Sequence, residues 1–195
     1  WQQMLGASAN ASGAAVSIAA NGDVVVAGTV SGSFDGAASD GDMLVARYSA
    51  NGDEQFATLI RNIGAEQASA IATASDGSIY VGGTAKGVGG VGSGDAVIAK
   101  LDANGLVTAR RTIDAGGSEG VRALGIAADG SLLALTGESG HAVLRSIDSA
   151  TLATDTAQID LGVADARALA VAADGSIAVG GARDGGASGR DGFVT

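Results

Sequence analysis

One dipeptide constrains this chain more than any other feature. Asn21-Gly22, Asp76-Gly77, Asp129-Gly130 and Asp174-Gly175 recur at spacings of 55, 53 and 45 residues. Self-similarity at such periods marks a repeat architecture, in which each unit buries its apolar face only against its neighbours. Asn-Gly and Asp-Gly are hairpin dipeptides because both residues tolerate positive φ. The flanks agree with this. Val16/Ile18, Ile71/Thr73, Leu124/Ile126 and Leu169/Val171 precede the four turns, and Val24/Val26, Ile79/Val81, Leu132/Ala134 and Ile177/Val179 follow them. Spacing by two on both sides gives two strands with one common buried face. Gly28, Gly83, Gly137 and Gly181 are expected to close the second strand of each unit.

A second hairpin follows. Asp42–Arg47 aligns with Asp95–Lys100 and, less closely, with His141–Ser146. These segments run into the turns Ser49-Ala50-Asn51-Gly52, Asp102-Ala103-Asn104-Gly105 and the degenerate Asp148-Ser149-Ala150-Thr151. A fourth strand is expected near Glu54–Ile60, Val107–Ile113 and Ala153–Ile159, and Trp1–Leu5 reads as the same strand of an earlier unit, with Trp1 in the place of Phe56. Four short antiparallel strands in each 45–55 residues form the unit of a β-propeller blade. A β-solenoid fits less well because its coils are shorter, and a β-sandwich is the third choice. The expected fold is therefore all-β: a β-propeller segment of about four four-stranded antiparallel repeats, belonging to a larger ring. The repeat units are 1–53, 54–106, 107–153 and 154–195, the last one truncated. Such a segment in isolation would expose two blade faces and self-associate.

Composition limits the function classes. With 11 basic against 21 acidic residues the formal charge is −10, and no Lys/Arg stripe exists for nucleic acid. The same charge would be repelled by an anionic membrane surface, and no apolar run is long enough to insert. Cysteine is absent, which excludes disulfides and thiolate metal sites. Aromatics make up only 3%, so the core must be built from Val, Ile, Leu and Ala. The chain begins at Trp1 without leader features and ends within an expected strand, so it is expected to be a piece of a longer protein.

Two stretches carry a family resemblance. Ser75–Thr84 with Gly94–Gly105, and Asn21–Thr29 with Gly41–Gly52, follow a pattern of (N/D)-G-x-(I/V)-x-V-x-G-T and then G-D-A-x-(V/I)-A-K-(L/Y)-D-A-N-G. This resembles the bacterial seven-bladed β-propeller repeat family. The likeness covers nearly the whole chain, with the third unit lacking the Asp and Asn-Gly landmarks. It implies a large exported or surface-attached protein. The Ala/Gly/Asp-rich variant is also similar to repeats of large flagellum-associated proteins of alphaproteobacteria, which implies attachment to an extracellular filament.

No catalytic, cofactor-binding or metal-binding residue is assigned. Gly87–Gly92 spells G-x-G-x-x-G, but a dinucleotide site needs a helix after that turn, and Asp95–Leu101 reads as a strand. Asp35, Asp40 and Asp42 crowd one connection and could offer oxygens to Ca²⁺, yet the matching connection of the second unit has only Asp95. Asp42 also aligns with Asp95 and Asp191, a turn-capping position. A divalent-ion site is therefore not expected. His141, the only histidine, takes that same Asp position and would need a distant Ser and Asp for triad chemistry. Trp1 is expected to pack between blades, with its indole N–H seeking an acceptor. Asn10-Ala11-Ser12 matches a glycosylation sequon by coincidence.

The connections before the third strand vary most, with 13, 11, 3 and 9 residues between the closing Gly and the next Asp or His. Such connections share one face of a propeller, so the rim is uneven, and function on rigid scaffolds resides in loops. The expected role is a non-enzymatic structural or protein-interaction module of an exported bacterial protein, extracellular or on the cell surface. Its partners would be a protein held by the uneven rim, the rest of its own chain, or further copies in an oligomer or filament. The alternative is a propeller-type lyase or hydrolase whose active site comes from other parts of the chain. The first strands that would line a central channel are Ala, Ser, Thr, Val, Ile and Leu, poor material for acid–base chemistry.

Within the turns, Gly77→Val is expected to destabilise and Ser78→Val to be nearly neutral, if Ser78 faces solvent.

Overall fold

The computed structural model describes residues 1–2, 10–61, 64–86, 94–163, 165–184 and 189–195. All regular structure among them is β. The first sheet comprises β1 (Asn10–Ile18), β2 (Val24–Phe34), β3 (Ala37–Tyr48) and β4 (Glu54–Ile60). The second comprises β5 (Glu66–Thr73), β6 (Ile79–Ala85), β7 (Asp95–Leu101) and β8 (Val107–Ile113). The third comprises β9 (Glu119–Ile126), β10 (Leu132–Glu138), β11 (His141–Ile147) and β12 (Asp155–Val163). The fourth has three strands, β13 (Asp165–Val171), β14 (Ile177–Asp184) and β15 (Arg190–Val194). Within each sheet the strands pair antiparallel in chain order. The first strands β1, β5, β9 and β13 are successive neighbours, so the sheets stack like propeller blades with these strands innermost. Among the described residues no helix is long and apolar enough to cross a membrane.

The repeated turns use different geometry from the one their sequence suggests. Gly22, Gly77, Gly130 and Gly175 have φ of +87, +87, +85 and +86°, whereas the preceding Asn or Asp is not among the positive-φ residues. The Gly77 N–H donates to Ala74 O at 3.0 Å and the Ala74 N–H to Ser78 O at 2.8 Å. Each connection is thus a wider turn with a single left-handed glycine, not a two-residue loop with two positive φ values. The Asx residue acts through its side chain. Asp76, Asp129 and Asp174 each accept the backbone N–H of a serine two residues on, at 2.8, 2.9 and 2.9 Å. Ser78 itself is 8% exposed and its hydroxyl donates to Asp76 Oδ2 at 3.1 Å. The expectation that it faces solvent is therefore corrected, and Ser78→Val would bury a β-branched side chain while removing that bond.

A bulge in each first strand explains the closing glycine. Gly28, Gly83 and Gly181 pair with Gly13, Ala68 and Ala166, next to register shifts in β1, β5 and β13. A Cβ on Gly83 would lie 1.8 Å from Gln67 O, so only glycine fits. In the third sheet the corresponding pair is Val121 with Thr136, and Gly137 sits one residue farther on. The expected equivalence of Gly137 is thus shifted by one.

Three apolar clusters lie between successive sheets. The first joins Val25, Val45 and Met43 to Ile71, Val81 and Val97. The second joins Tyr80 and Ile98 to Val121, Leu132 and Leu152, and the third joins Leu133 and Leu135 to Ala166 and Val179. Burial on both faces explains why β3, β7 and β11 read as near-continuous apolar runs. The outer face of the first sheet is open: Val16 and Ile18 are 64% and 62% exposed, while the equivalent Ile71 is buried by the preceding sheet.

Trp1 repeats a blade-to-blade contact. A Cβ on Gly52 would lie 2.7 Å from the Trp1 ring, and one on Gly105 would lie 2.6 Å from the Phe56 ring. Trp1 covers the turn of the first sheet as Phe56 covers that of the second, and its Nε1–H donates to Ala50 O at 3.0 Å. The rest of the expected Trp1–Leu5 strand lies outside the described residues.

Candidate functional site

The uneven rim is where the structure departs most from simple repetition. Among the described residues the first sheet reaches farthest, where the 13-residue connection is hairpin and not loop: β2 runs to Phe34 and β3 starts at Ala37. Asp35 takes φ +48° at the tip, and Asp40 and Asp42 lie on β3 with Gly41 bulged between them. Asp35 sits in the turn at the hairpin tip while Asp40 and Asp42 lie farther down on β3, and the three are not among the described carboxylates whose oxygens gather within metal-binding distance.

The lowest point of the rim is the third sheet, where Ser139-Gly140 joins β10 directly to β11. Between this short turn and the fourth sheet lies a cleft of about 530 Å³. Gly137, Gly140 and His141 line its third-sheet side, and Asp165, Arg183 and Arg190 its fourth-sheet side. Arg122 of β9 also faces it and forms no ion pair or hydrogen bond among the described residues. The Arg183 guanidinium stacks 4.4 Å from the Phe193 ring centroid. Asp165 holds Arg167 at 2.8 Å and Arg190 at 3.1 Å, and these hydrogen bonds, Arg167 first, pull its carboxyl below the ordinary value against the opposing effect of burial. Three guanidiniums against the carboxylates of Asp165 and Asp184 leave this cleft with a small excess of positive charge in a chain of formal charge −10.

His141 meets a carboxylate after all: its Nδ1 lies 3.1 Å from Asp160 Oδ2, both side chains about half exposed. Asp160 is held below the ordinary carboxylate range by the Gly162 N–H and by His141. Ser118 lines the same cleft, but no serine hydroxyl hydrogen-bonds to His141 among the described residues. The Gly87–Gly92 motif lies outside the described residues, and a strand follows it, as expected.

A second set of residues was not singled out from sequence. Glu66 and Glu119 stand ten residues before Asp76 and Asp129, each opening the first strand of its sheet, and each is 2% exposed. Each faces an aspartate that opens or lies in the third strand of the preceding sheet. Glu66 interacts with Asp42, which is 3% exposed, and Glu119 with Asp95, which is 4% exposed. Neither Glu66 oxygen receives a hydrogen bond from an N–H or hydroxyl donor among the described residues, and the side chain borders a cavity of about 30 Å³, room for one water. Burial first, then the neighbouring Asp42 and Asp40, push its carboxyl up to about 7, with Arg110 opposing. Arg61, after β4, answers part of this charge at 3.5 Å from Asp42. At the next seam the residue after β8 is Asp114, and the ligand oxygens of Asp95, Asp114 and Glu119 all lie within 4.8 Å of one another. The signal in sequence was there, a Glu at a fixed offset from two turns, but no local motif marks it.

Known proteins agree with the architecture. No family model matches the chain. A regulatory protein of Caulobacter vibrioides, FlaEY, is 32% identical over an alignment of 168 residues that covers 76% of this chain. The chain spans 18% of that relative's length. Among solved structures, a protein of unknown function from Bacteroides caccae superposes with a TM-score of 0.59 at 13% identity, covering 93% of this chain and 57% of the other. A luciferin-regenerating enzyme superposes with a TM-score of 0.53 at 12% identity, covering 88% and 54%. These two likenesses concern the fold alone.

Proposed function

We propose that the chain is a non-enzymatic, propeller-type interaction module of an exported or cell-surface bacterial protein with a flagellum-related role. The observation that carries this reading is the notch in the rim, where Arg122, without an ion pair among the described residues, and the stacked Arg183 face a cleft in a chain of formal charge −10. Such a cleft suits an extended protein segment carrying Asp or Glu, bound by charge-assisted hydrogen bonds on a rigid frame. The similarity to FlaEY supports the flagellar part of the reading, as does the likeness of the repeats to flagellum-associated proteins. The enzyme alternative draws its support from the His141–Asp160 pair beside Ser118.

The test is co-sedimentation with filaments sheared from Caulobacter vibrioides. The chain should pellet with them, and Arg122→Glu/Arg183→Glu should remain in the supernatant. A chain that stays soluble at every filament concentration defeats the filament reading. Ester turnover that disappears in His141→Gln would favour the enzyme.

A further inference from the structure

We propose that Asp95, Asp114 and Glu119 form a Ca²⁺ site that staples the second sheet to the third. The three come from different strand ends: Asp95 opens β7, Asp114 follows β8 and Glu119 opens β9. Their ligand oxygens all lie within 4.8 Å of one another, which is the span two oxygens adopt across an ion with ligands at about 2.4 Å.

Two observations beyond the cluster itself point to a cation. Asp95 is 4% exposed, and its carboxylate has no hydrogen bond or ion pair among the described residues. Glu119 is 2% exposed; its Oε1 accepts the Gly117 N–H at 2.9 Å while its Oε2 is buried without a partner. A buried carboxylate oxygen without a partner, as Glu119 Oε2 is, is costly, and in folded proteins buried charges are paired or coordinate metals. None of the three forms an ion pair with Arg, Lys or His among the described residues. The backbone fixes the geometry in advance. The Glu119 N–H donates to Gly94 O at 2.8 Å, and Asp114 Oδ1 accepts the Gly116 N–H at 2.8 Å.

The preceding seam serves as an internal control. Asp42 and Glu66 occupy the equivalent places, but Arg61 replaces Asp114 and supplies a cation from the chain itself. An all-oxygen set without His or Cys selects a hard ion, and an open third ligand leaves room for waters to complete six to eight positions. The sequence expectation of no divalent-ion site weighed Asp35, Asp40 and Asp42 in one connection and Asp95 alone in the next; this proposal departs from it by joining to Asp95 two carboxylates, Asp114 and Glu119, that lie elsewhere in the sequence.

Calorimetric titration of the chelator-stripped chain with CaCl₂ should give one site per chain with Kd on the order of 10⁻⁴ to 10⁻³ M, the range of extracellular modules. The melting temperature should rise by several degrees in about 10 mM CaCl₂, and less in MgCl₂ because Mg²⁺ demands a stricter octahedron. Asp114 is exposed, so Asp114→Asn should fold and bind at least about tenfold more weakly. Asp114→Arg, which copies the preceding seam, should abolish binding, and Asp40→Ala should leave it unchanged. Absence of both heat and melting shift, or an undiminished response in Asp114→Arg, would overturn the proposal.

Discussion

The seam between the first and second sheets and the seam between the second and third solve the same packing problem with exchanged parts. At the first, the large Phe56 ring of β4 lies on Gly105. At the second, the residue in register with Phe56 is Ala109, and the turn position of Gly105 is filled by Leu152, fully buried despite φ of +60°. A large side chain on one sheet has been traded for a large side chain on the other. The electrostatic parts are exchanged as well: Arg61 stands at one seam where Asp114 stands at the other. The lesson is that a repeat conserves the volume and the ring of contacts at a seam, while the residue that supplies each part is free to change sides.

The steric half of this comparison yields the largest expected effect. Gly105→Leu places a Cβ in a left-handed backbone and against the Phe56 ring, and should cost about 3 kcal/mol or more. Adding Phe56→Ala, which reproduces the second seam, should recover about 2 kcal/mol relative to the sum of the single variants. Additive losses in a urea-melt double-mutant cycle would break the proposed equivalence.

The electrostatic half is sharpened by pH. The Glu66 carboxyl is pushed up to about 7 in the folded chain from an ordinary 4.5. Below pH 4.5 both folded and unfolded chains hold the proton and the contribution is fully present. As pH rises towards 7 the unfolded chain ionises first, so about 3 kcal/mol of stability is lost and the curve then levels. Glu66→Gln should flatten that slope and be the more stable protein above pH 7, as read from melting temperatures. Parallel curves for the two proteins would mean that Arg61 and Arg110 already neutralise the seam.

The smallest effect is a control. Gly22 and Gly130 turn the first and third sheets with φ of +87 and +85°, and a Cβ at either would meet nothing closer than 4.0 Å. Gly→Ala at each should cost about 1 kcal/mol from backbone strain alone. Unequal losses would show that seam differences reach the turns.

Much of this fold was legible in the sequence, because hairpin turns and two-residue alternation are local properties. Asp76-Gly77 with Ile71, Thr73, Ile79 and Val81 specifies a strand, a turn and a strand without knowledge of anything else in the chain. The order of strands within each sheet followed from repetition of that signal. Even the parity of Trp1 with Phe56 could be read, since both precede an equivalent glycine-bearing turn. What failed locally was turn type: both positions of Asn-Gly tolerate positive φ, and only the hydrogen bonds of the neighbouring backbone decide that the Asx residue caps and the glycine alone inverts.

The long-range features belong to the tertiary structure. Asp35, Asp40 and Asp42 are close in sequence and are spread along a hairpin, because an extended strand separates successive residues by about 3.3 Å. Asp95 and Glu119 are 24 positions apart and share a seam, because stacked sheets bring the third strand of one against the first strand of the next. Which carboxylates meet, which arginine is left facing a cleft and which side chain crosses a seam depend on distances between sheets, and no local pattern of residues encodes those distances. Sequence determined the blades; stacking decided their chemistry.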